Sequence, residues 1–380
     1  MTAHARLGAS GAYRWMNCPG SVALSEQVPV EETSIHAAEG TAAHALAEKT
    51  LLDNDAWPTD FIGAELEGFV VTREMAEAVA DYVREVRERI QKYDILLIEE
   101  RVSLDALGSP EPMFGTADAV IYSPTQKLLT IIDYKHGMGV GVGVENNPQL
   151  RFYGLATMVS HPEWEVNHVA MVVVQPRFAH ADGPIRFDVI EAPDLMVWAA
   201  DLLAAAEATR AADAPTNPGS WCRFCPAKAV CPSLMDTALA AAKVEFKGEP
   251  QSPEHPSYMT DEQLGAVLDQ ADLIEAWVKA VKDLVFKRLH SGNPVPGYKL
   301  VEKRAMRKWR SEAEVTDSLK AQGFGDEIFD TKLKSPAQLE KVVGKGDLEA
   351  FIERVSSGLT LAPEADKRPA ASGGSEFFDK

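Results

Sequence analysis

The residues best suited to chemistry are two aspartates and a lysine in neighbouring apolar segments. Phe114-Gly-Thr-Ala-Asp118-Ala-Val-Ile-Tyr122 is followed, after a short turn, by Leu128-Leu-Thr-Ile-Ile-Asp133-Tyr134-Lys135. Mg2+ and Mn2+ take hard oxygen ligands, typically one or two carboxylates with water and phosphate oxygens. Charge that builds on a phosphate is offset by a nearby cation. Asp118 and Asp133 supply carboxylates, and Lys135 supplies the cation. Lys135 lies two residues beyond Asp133, so in a strand both side chains project to the same side. The Tyr134 backbone carbonyl becomes a further oxygen ligand if the strand end frays there. An Asp-x-Lys triplet alone is usually a surface ion pair. Its place at the end of an apolar strand changes that, because burying such charges without a ligand is costly.

The second constellation is Cys222-x-x-Cys225, then Cys231, with Cys18 far upstream. Four cysteines in 380 residues are too few for a disulfide scaffold, and close spacing in a reducing compartment points to a metal or cluster. Three close thiols and one remote one make a four-ligand set that either Zn2+ or a [4Fe–4S] cluster accepts. A structural zinc site normally uses two close pairs, whereas Cys18 stands alone. Buried thiols packed as small apolar residues are the plainer alternative. The expected role is structural: a bound group closes a long loop and adds its binding energy to folding.

The elements that position these residues read as a mixed α/β (α+β) fold, a central mixed sheet flanked by helices. Glu39-Gly40-Thr-Ala-Ala-His44 opens an alanine-rich helix, in which Gly40 permits close backbone approach. A lone helical histidine is normally structural or exposed. Met75, Val79, Tyr82, Val83, Val86 and Ile90 recur at helical spacing over 72–92. Arg84, Arg87 and Arg89 on that helix read as a solvated face. Ile95 to Leu104 is a strand in which Glu99 and Glu100 point to opposite faces, so only one of them meets the site. Residues 114–122 and 127–135 continue as an antiparallel meander, and Leu128 to Ile132 reads as buried on both faces. Gly137 to Gly143 reads as a flexible loop near the site; it lacks the ending of a phosphate-binding P-loop. A helix over 148–160 with Pro148 in its first turn carries Gln149 and Tyr153 four apart on one face. A surface hydrogen-bonding pair is their plain reading. Strands over 166–175 and 185–191 and a helix over 193–212 follow.

Beyond a breaker cluster at 215–221 and the cysteines, residues 236–257 read as a linker and 258–345 as a separate helical and basic region. The tail, 346–380, is polar and partly disordered. Lys299 to Arg310 is the one dense basic cluster, with Trp309 available for base stacking; a solvated face is the plain alternative. The net charge of −19 argues against a non-specific nucleic-acid coat, although a local basic face can still meet DNA. No apolar run reaches the roughly 18 residues of a membrane span. The N-terminus lacks a signal-type apolar core, so a cytoplasmic location without membrane association is expected.

Gly-Thr-Ala-Asp118, Ile-Asp133-Tyr-Lys135 and Gln149-x-x-x-Tyr153 resemble the core motifs of the PD-(D/E)XK nuclease superfamily, most closely its RecB-type branch. Glu-Gly-Thr-Ala-Ala-His44 resembles the metal-binding histidine segment that opens that branch. More narrowly, the chain is similar to an uncharacterised phage and prophage family with a RecB-like core. The resemblance covers about residues 10–235 and implies a restriction-endonuclease-like core at about 36–212. It implies that His44, Asp118 and Asp133 bind Mg2+ or Mn2+, that Lys135 is catalytic, and that Gln149 and Tyr153 position DNA or the lysine. A first-strand glutamate, Glu99 or Glu100, completes the pattern; Glu99 is favoured, but spacing does not settle it. The cysteine layout resembles the iron–sulfur staple of AddB-type and CRISPR-associated RecB-like nucleases, which implies [4Fe–4S] at Cys18, Cys222, Cys225 and Cys231. The implied activity is metal-dependent DNA hydrolysis by an exonuclease in phage recombination or DNA processing. Phage single-strand-binding or annealing proteins are the implied partners. A DNA-binding accessory protein without the chemistry and a zinc-stabilised adaptor are the alternatives.

Overall fold

The computed structural model describes residues 5–28, 34–243 and 261–300. The chain divides into two units at Leu300, and the second lies outside the described residues. The expected basic cluster beyond Leu300, Trp309, the tail and most of the expected linker therefore fall outside them too. Among the described residues no helix is long and apolar enough to cross a membrane.

Short helices α1 (Ala12–Asn17) and α2 (Ser21–Glu26) precede the long α3 (Ile35–Leu52). A small hairpin, β1 (Glu65–Leu66) with β2 (Phe69–Val70), leads to α4 (Arg73–Arg89). Side chains cap both long helices: Ser34 accepts from the Ala37 N–H at 3.2 Å and Thr72 from the Met75 N–H at 3.1 Å. Arg87 corrects the solvated-face reading of α4. Its guanidinium donates to the carbonyls of Thr50, Asp53 and Ala56 at 2.9–3.1 Å, which closes the C-terminal end of α3.

The sheet comprises β3 (Ile95–Ser103), β4 (Phe114–Ser123), β5 (Leu128–Tyr134), β6 (His168–Val174) and β7 (Ile185–Glu191), in that order in space. The first three form the expected antiparallel meander. Helix α5 (Pro148–Ser160) carries the chain to β6, which pairs parallel to β5, and β7 pairs antiparallel to β6. Alternation along β5 divides its apolar residues between two cores. Leu129 and Ile131 pack with Leu150 and Leu155 of α5 and with Leu195 of α6 (Ala192–Ala208), whereas Ile132 and Tyr134 pack with α3 and α4. A strand apolar on both faces is thereby sandwiched.

Two boundaries differ from the expected ones. Helix α7 (Pro232–Lys243) runs through the start of the expected linker. Helix α8 (Asp261–His290) is not separate: its Leu273 and Trp277 pack beside Cys222, Cys231 and Leu234. An amphipathic helix must bury its apolar stripe, and here the cysteine region offers the surface.

Candidate functional site

The site lies where β4 and β5 part. Their pairing ends at Ala119 opposite Ile132, so the next rung, Asp118 and Asp133, is open. Across β3 and β4 the same rung is Glu99 and Asp118; the ladder pairs Ile98 with Ala119 and Glu100 with Ala117 but skips Glu99, whose φ is +49°. One rung thus carries three acids on three adjacent strands. Positive φ is unusual for a non-glycine residue, and it turns the Glu99 side chain toward the opening. There one ligand atom from each of His44, Glu99 and Asp118 lies within 4.8 Å of the others. Glu99, and not Glu100, is therefore the first-strand glutamate that stands at the opening. Asp133 stands outside that trio, beside it.

Asp118 fills the gap left by the missing ladder bonds. Its Oδ2 accepts the Tyr134 N–H at 2.7 Å, and its Oδ1 lies 3.4 Å from His44 Nδ1. The strand does not fray at Tyr134, which remains in register with Val174; β4 diverges instead. In an extended strand a residue's N–H and carbonyl face the same neighbour, so the Tyr134 carbonyl also faces the opening.

Lys135 sits on Asp133, its Nζ donating to Oδ1 at 3.0 Å and standing 2.9 Å from Oδ2. Only the first contact has hydrogen-bond geometry, which leaves a buried carboxylate oxygen, Oδ2, without a hydrogen bond. Gln149 Oε1 accepts from the same ammonium at 3.1 Å, and Gln149 Nε2 donates to the Tyr153 hydroxyl at 3.4 Å. The Gln149–Tyr153 pair is therefore a strut for the lysine. Gly115 leaves room for it: a Cβ there would lie 2.9 Å from Tyr153 Cε1.

Burial alone would lower His44, but Asp118, Asp133 and Glu99 outweigh it and hold the imidazole up to about 9. Burial and the Asp118 charge raise Glu99 to about 7. Asp118 is held low against its burial, chiefly by His44. Asp133 is raised by burial, with Lys135 opposing. Lys135 is raised because Asp133 and Asp118 overcome its desolvation. An imidazole and three carboxylates, crowded enough to hold extra protons and with one oxygen unbonded, suit a divalent cation.

A supporting network was not legible beforehand. The Tyr134 hydroxyl and His136 Nδ1 are 2.8 Å apart, and Arg177 donates to His136 Nε2 and, at 3.0 Å, to Glu39 Oε1. The Tyr134 ring stands edge-on to His44, 5.4 Å between centroids, so the network backs the imidazole. Gly40 makes no close approach, since a Cβ there meets nothing within 4 Å. The glycine-rich loop is tied down rather than loose. Buried Gln175 donates to the carbonyls of Gly137 and Val140 at 2.9 and 2.8 Å and accepts the Val142 N–H at 3.0 Å.

The four cysteines, all buried and unpaired, line one cavity with apolar walls that include Leu24, Trp221 and Leu234. Backbone N–H groups of Asn217 and Gly219 point at the sulfurs of Cys18 and Cys222, at 3.2 and 3.4 Å. Burial, and then the neighbouring thiols, raises Cys222. Thiolates around one tetrahedral zinc stand about 3.8 Å apart, given the Zn–S bond length. Among the described residues no three of these sulfurs gather within 4.8 Å of one another. Gly20 closes the seam between the two cysteine segments. Its N–H donates to the Pro215 carbonyl at 2.9 Å, and a Cβ on it would lie 2.3 Å from the Ala214 carbonyl oxygen.

Fold and site together define a mixed α/β protein with an imidazole–carboxylate cluster at a sheet opening and a separate four-thiol cavity. The chain belongs to the family described as "Protein of unknown function (DUF2800)", whose model matches residues 4–369. A solved structure titled "Crystal structure of SSO0001" aligns over 59% of this chain and 95% of its own, at 14% identity and a TM-score of 0.24. A likeness that weak carries nothing about this chain's architecture or activity.

Proposed function

We propose that this protein is a metal-dependent DNA nuclease with a PD-(D/E)XK, RecB-like core, acting as an exonuclease in phage recombination or DNA processing. The observation that supports it most is the open rung: Glu99, Asp118 and Asp133 on adjacent strands, met by His44 from one face and by Lys135 and Gln149 on the other side. His44, Glu99, Asp118 and Asp133, with the Tyr134 carbonyl, would hold Mg2+ or Mn2+. That cation supplies Lewis-acid activation of water and charge neutralisation at the phosphate. Lys135, fixed by Asp133 and Gln149, places an ammonium where charge builds on the scissile phosphate. Tyr153 braces Gln149 from the next turn. The protein is expected to degrade DNA with Mn2+ or Mg2+ and not with EDTA. Folded protein that degrades no form of DNA under these conditions rejects the reading, and metal-independent DNA binding alone favours an accessory protein.

Four buried thiols around one cavity, approached by N–H donors, are the ligand set of this reading, with a [4Fe–4S] cluster at Cys18, Cys222, Cys225 and Cys231 and Zn2+ as the alternative. Its role in this reading is to join the chain segments before and after the sheet.

Protons and metal compete for the same groups. With His44 near 9 and Glu99 near 7, both bind protons at pH 6, and a cation must displace them. Mn2+ affinity should therefore rise with pH, by roughly a thousandfold between pH 6 and 8, about ninetyfold from the His44 proton and about tenfold from that of Glu99. Calorimetry in buffers of different ionisation enthalpy counts those protons; none released means His44 and Glu99 are not ligands.

A further inference from the structure

We propose that the outer surface of the cysteine loop is a binding surface for single-stranded nucleic acid, with Phe224 as the base-stacking platform and Arg223 as a phosphate contact. The proposal rests on the nuclease reading for its substrate class and adds a second contact region, apart from the metal-binding rung.

Charge is the first observation. In a chain with 57 acidic residues among 380, the stretch from Ala214 to Met235 holds no aspartate or glutamate and carries Arg223 and Lys228. Against a net charge of −19, this is a local reversal of sign along the sequence. Arg223 is exposed, and half-buried Lys228, at the rim of the thiol cavity, donates its Nζ to the Arg223 carbonyl at 2.8 Å. The two cations therefore sit on one short piece of backbone.

The second observation is aromatic. Residues Ser220–Phe224 form a 3-10 helix that carries two aromatic side chains, Trp221 and Phe224. Trp221 packs inward beside the thiol cavity, whereas Phe224 is 72% exposed. Tyr13 extends the row from α1: its ring meets Trp221 edge-on at 5.7 Å, its hydroxyl lies 2.6 Å from Ser220 Oγ, and it too is exposed. An exposed aromatic beside cations is the composition of a sequence-tolerant single-strand platform, because every base offers a π face.

The third observation is location. Ala9, just before α1, lies against the position a Gly115 Cβ would take beside Tyr153, and Cys18 ends α1. The short helix α1 thus links the segment beside the Tyr153 strut to the first of the four cysteines.

The test is fluorescence anisotropy of the full-length, cofactor-loaded protein with a labelled oligo-dT in Ca2+. The vesicle arm uses phosphatidylserine–phosphatidylcholine liposomes. Phe224→Ala should weaken oligo-dT binding about tenfold, and Phe224→Trp should restore it. Arg223→Ala should flatten the slope of log affinity against log salt by about one. Both positions are exposed, so the unfolding midpoint and cofactor content should match wild type. Wild-type cleavage of DNA with oligo-dT binding unchanged in Phe224→Ala overturns this proposal and leaves the nuclease reading standing. Wild-type protein that neither binds nor cleaves DNA overturns both, as does binding to the liposomes alone.

Discussion

Lys135→Ala is expected to lower the proposed Mn2+-dependent DNA cleavage by about 100- to 1000-fold, the scale set by losing one positioned charge at an oxyanion. The readout is the single-turnover rate at saturating Mn2+, since the His44, Glu99 and Asp118 trio remains to bind metal. Removing the lysine also strips Asp133 of its ion-pair partner at 2.9–3.0 Å. Asp133 is only 3% exposed and already raised by burial. Without the ammonium it rises further and takes up a proton, which costs stability but spares the protein a naked buried charge. Pairing Lys135→Ala with Asp133→Asn separates these effects: the double variant regains stability and stays inactive. Asp133→Ala alone is also expected to abolish cleavage. A folded Lys135→Ala protein that cleaves at the wild-type rate removes Lys135 from the chemistry.

Gly20→Ala is expected to empty the proposed cofactor site at the cysteines although it touches no thiol. The added methyl would stand 2.3 Å from the Ala214 carbonyl oxygen and 2.9 Å from Thr216. Backbone cannot yield as a side chain does, so the Cys18 segment must move off residues 214–217, taking Cys18 from the Asn217 N–H. Three thiols then remain together, and a four-ligand group loses one anchor. The expected result is loss of most visible absorption and bound iron from anaerobically purified protein, with a fall in stability of about 1–3 kcal/mol from overpacking alone. Cys18→Ala should give the same colourless protein. Gly40→Ala is the control: its Cβ meets nothing, and alanine in a helix interior gains about 0.5–1 kcal/mol over glycine. Full iron content in Gly20→Ala would show that Cys18 is not a ligand, and zinc without colour in the wild type would rule out the iron–sulfur assignment.

Much of this architecture was legible because periodicity encodes burial. The two-residue alternation and unbroken apolar run of β5 marked a central strand, and the three- and four-residue recurrence from Met75 to Val86 marked α4. The same spacing placed Asp133 with Lys135 and Gln149 with Tyr153, since neighbours on one strand or one helix turn are fixed by local geometry. Spacing also picked out four cysteines in two distant segments as a candidate set, and the fold gathers them around one cavity.

What local geometry cannot encode is where two strands stop pairing. The site exists because β4 leaves β5 after Ala119, and because a positive φ at Glu99 turns its side chain toward the gap; neither has a signature in residue type. Arg87 read as part of a solvated face and nothing singled out Arg177, because their hydrogen-bond partners lie 31 or more residues away. Gly20 has no local reason in the sequence: what it makes room for is a carbonyl oxygen nearly two hundred residues further on, that of Ala214. The sequence thus determined the elements and the inventory of reactive groups, through short-range periodicity. The tertiary structure decided which acid joins the cluster, what braces the lysine and how Cys18 reaches the other thiols, because those depend on contacts between segments that only packing brings together.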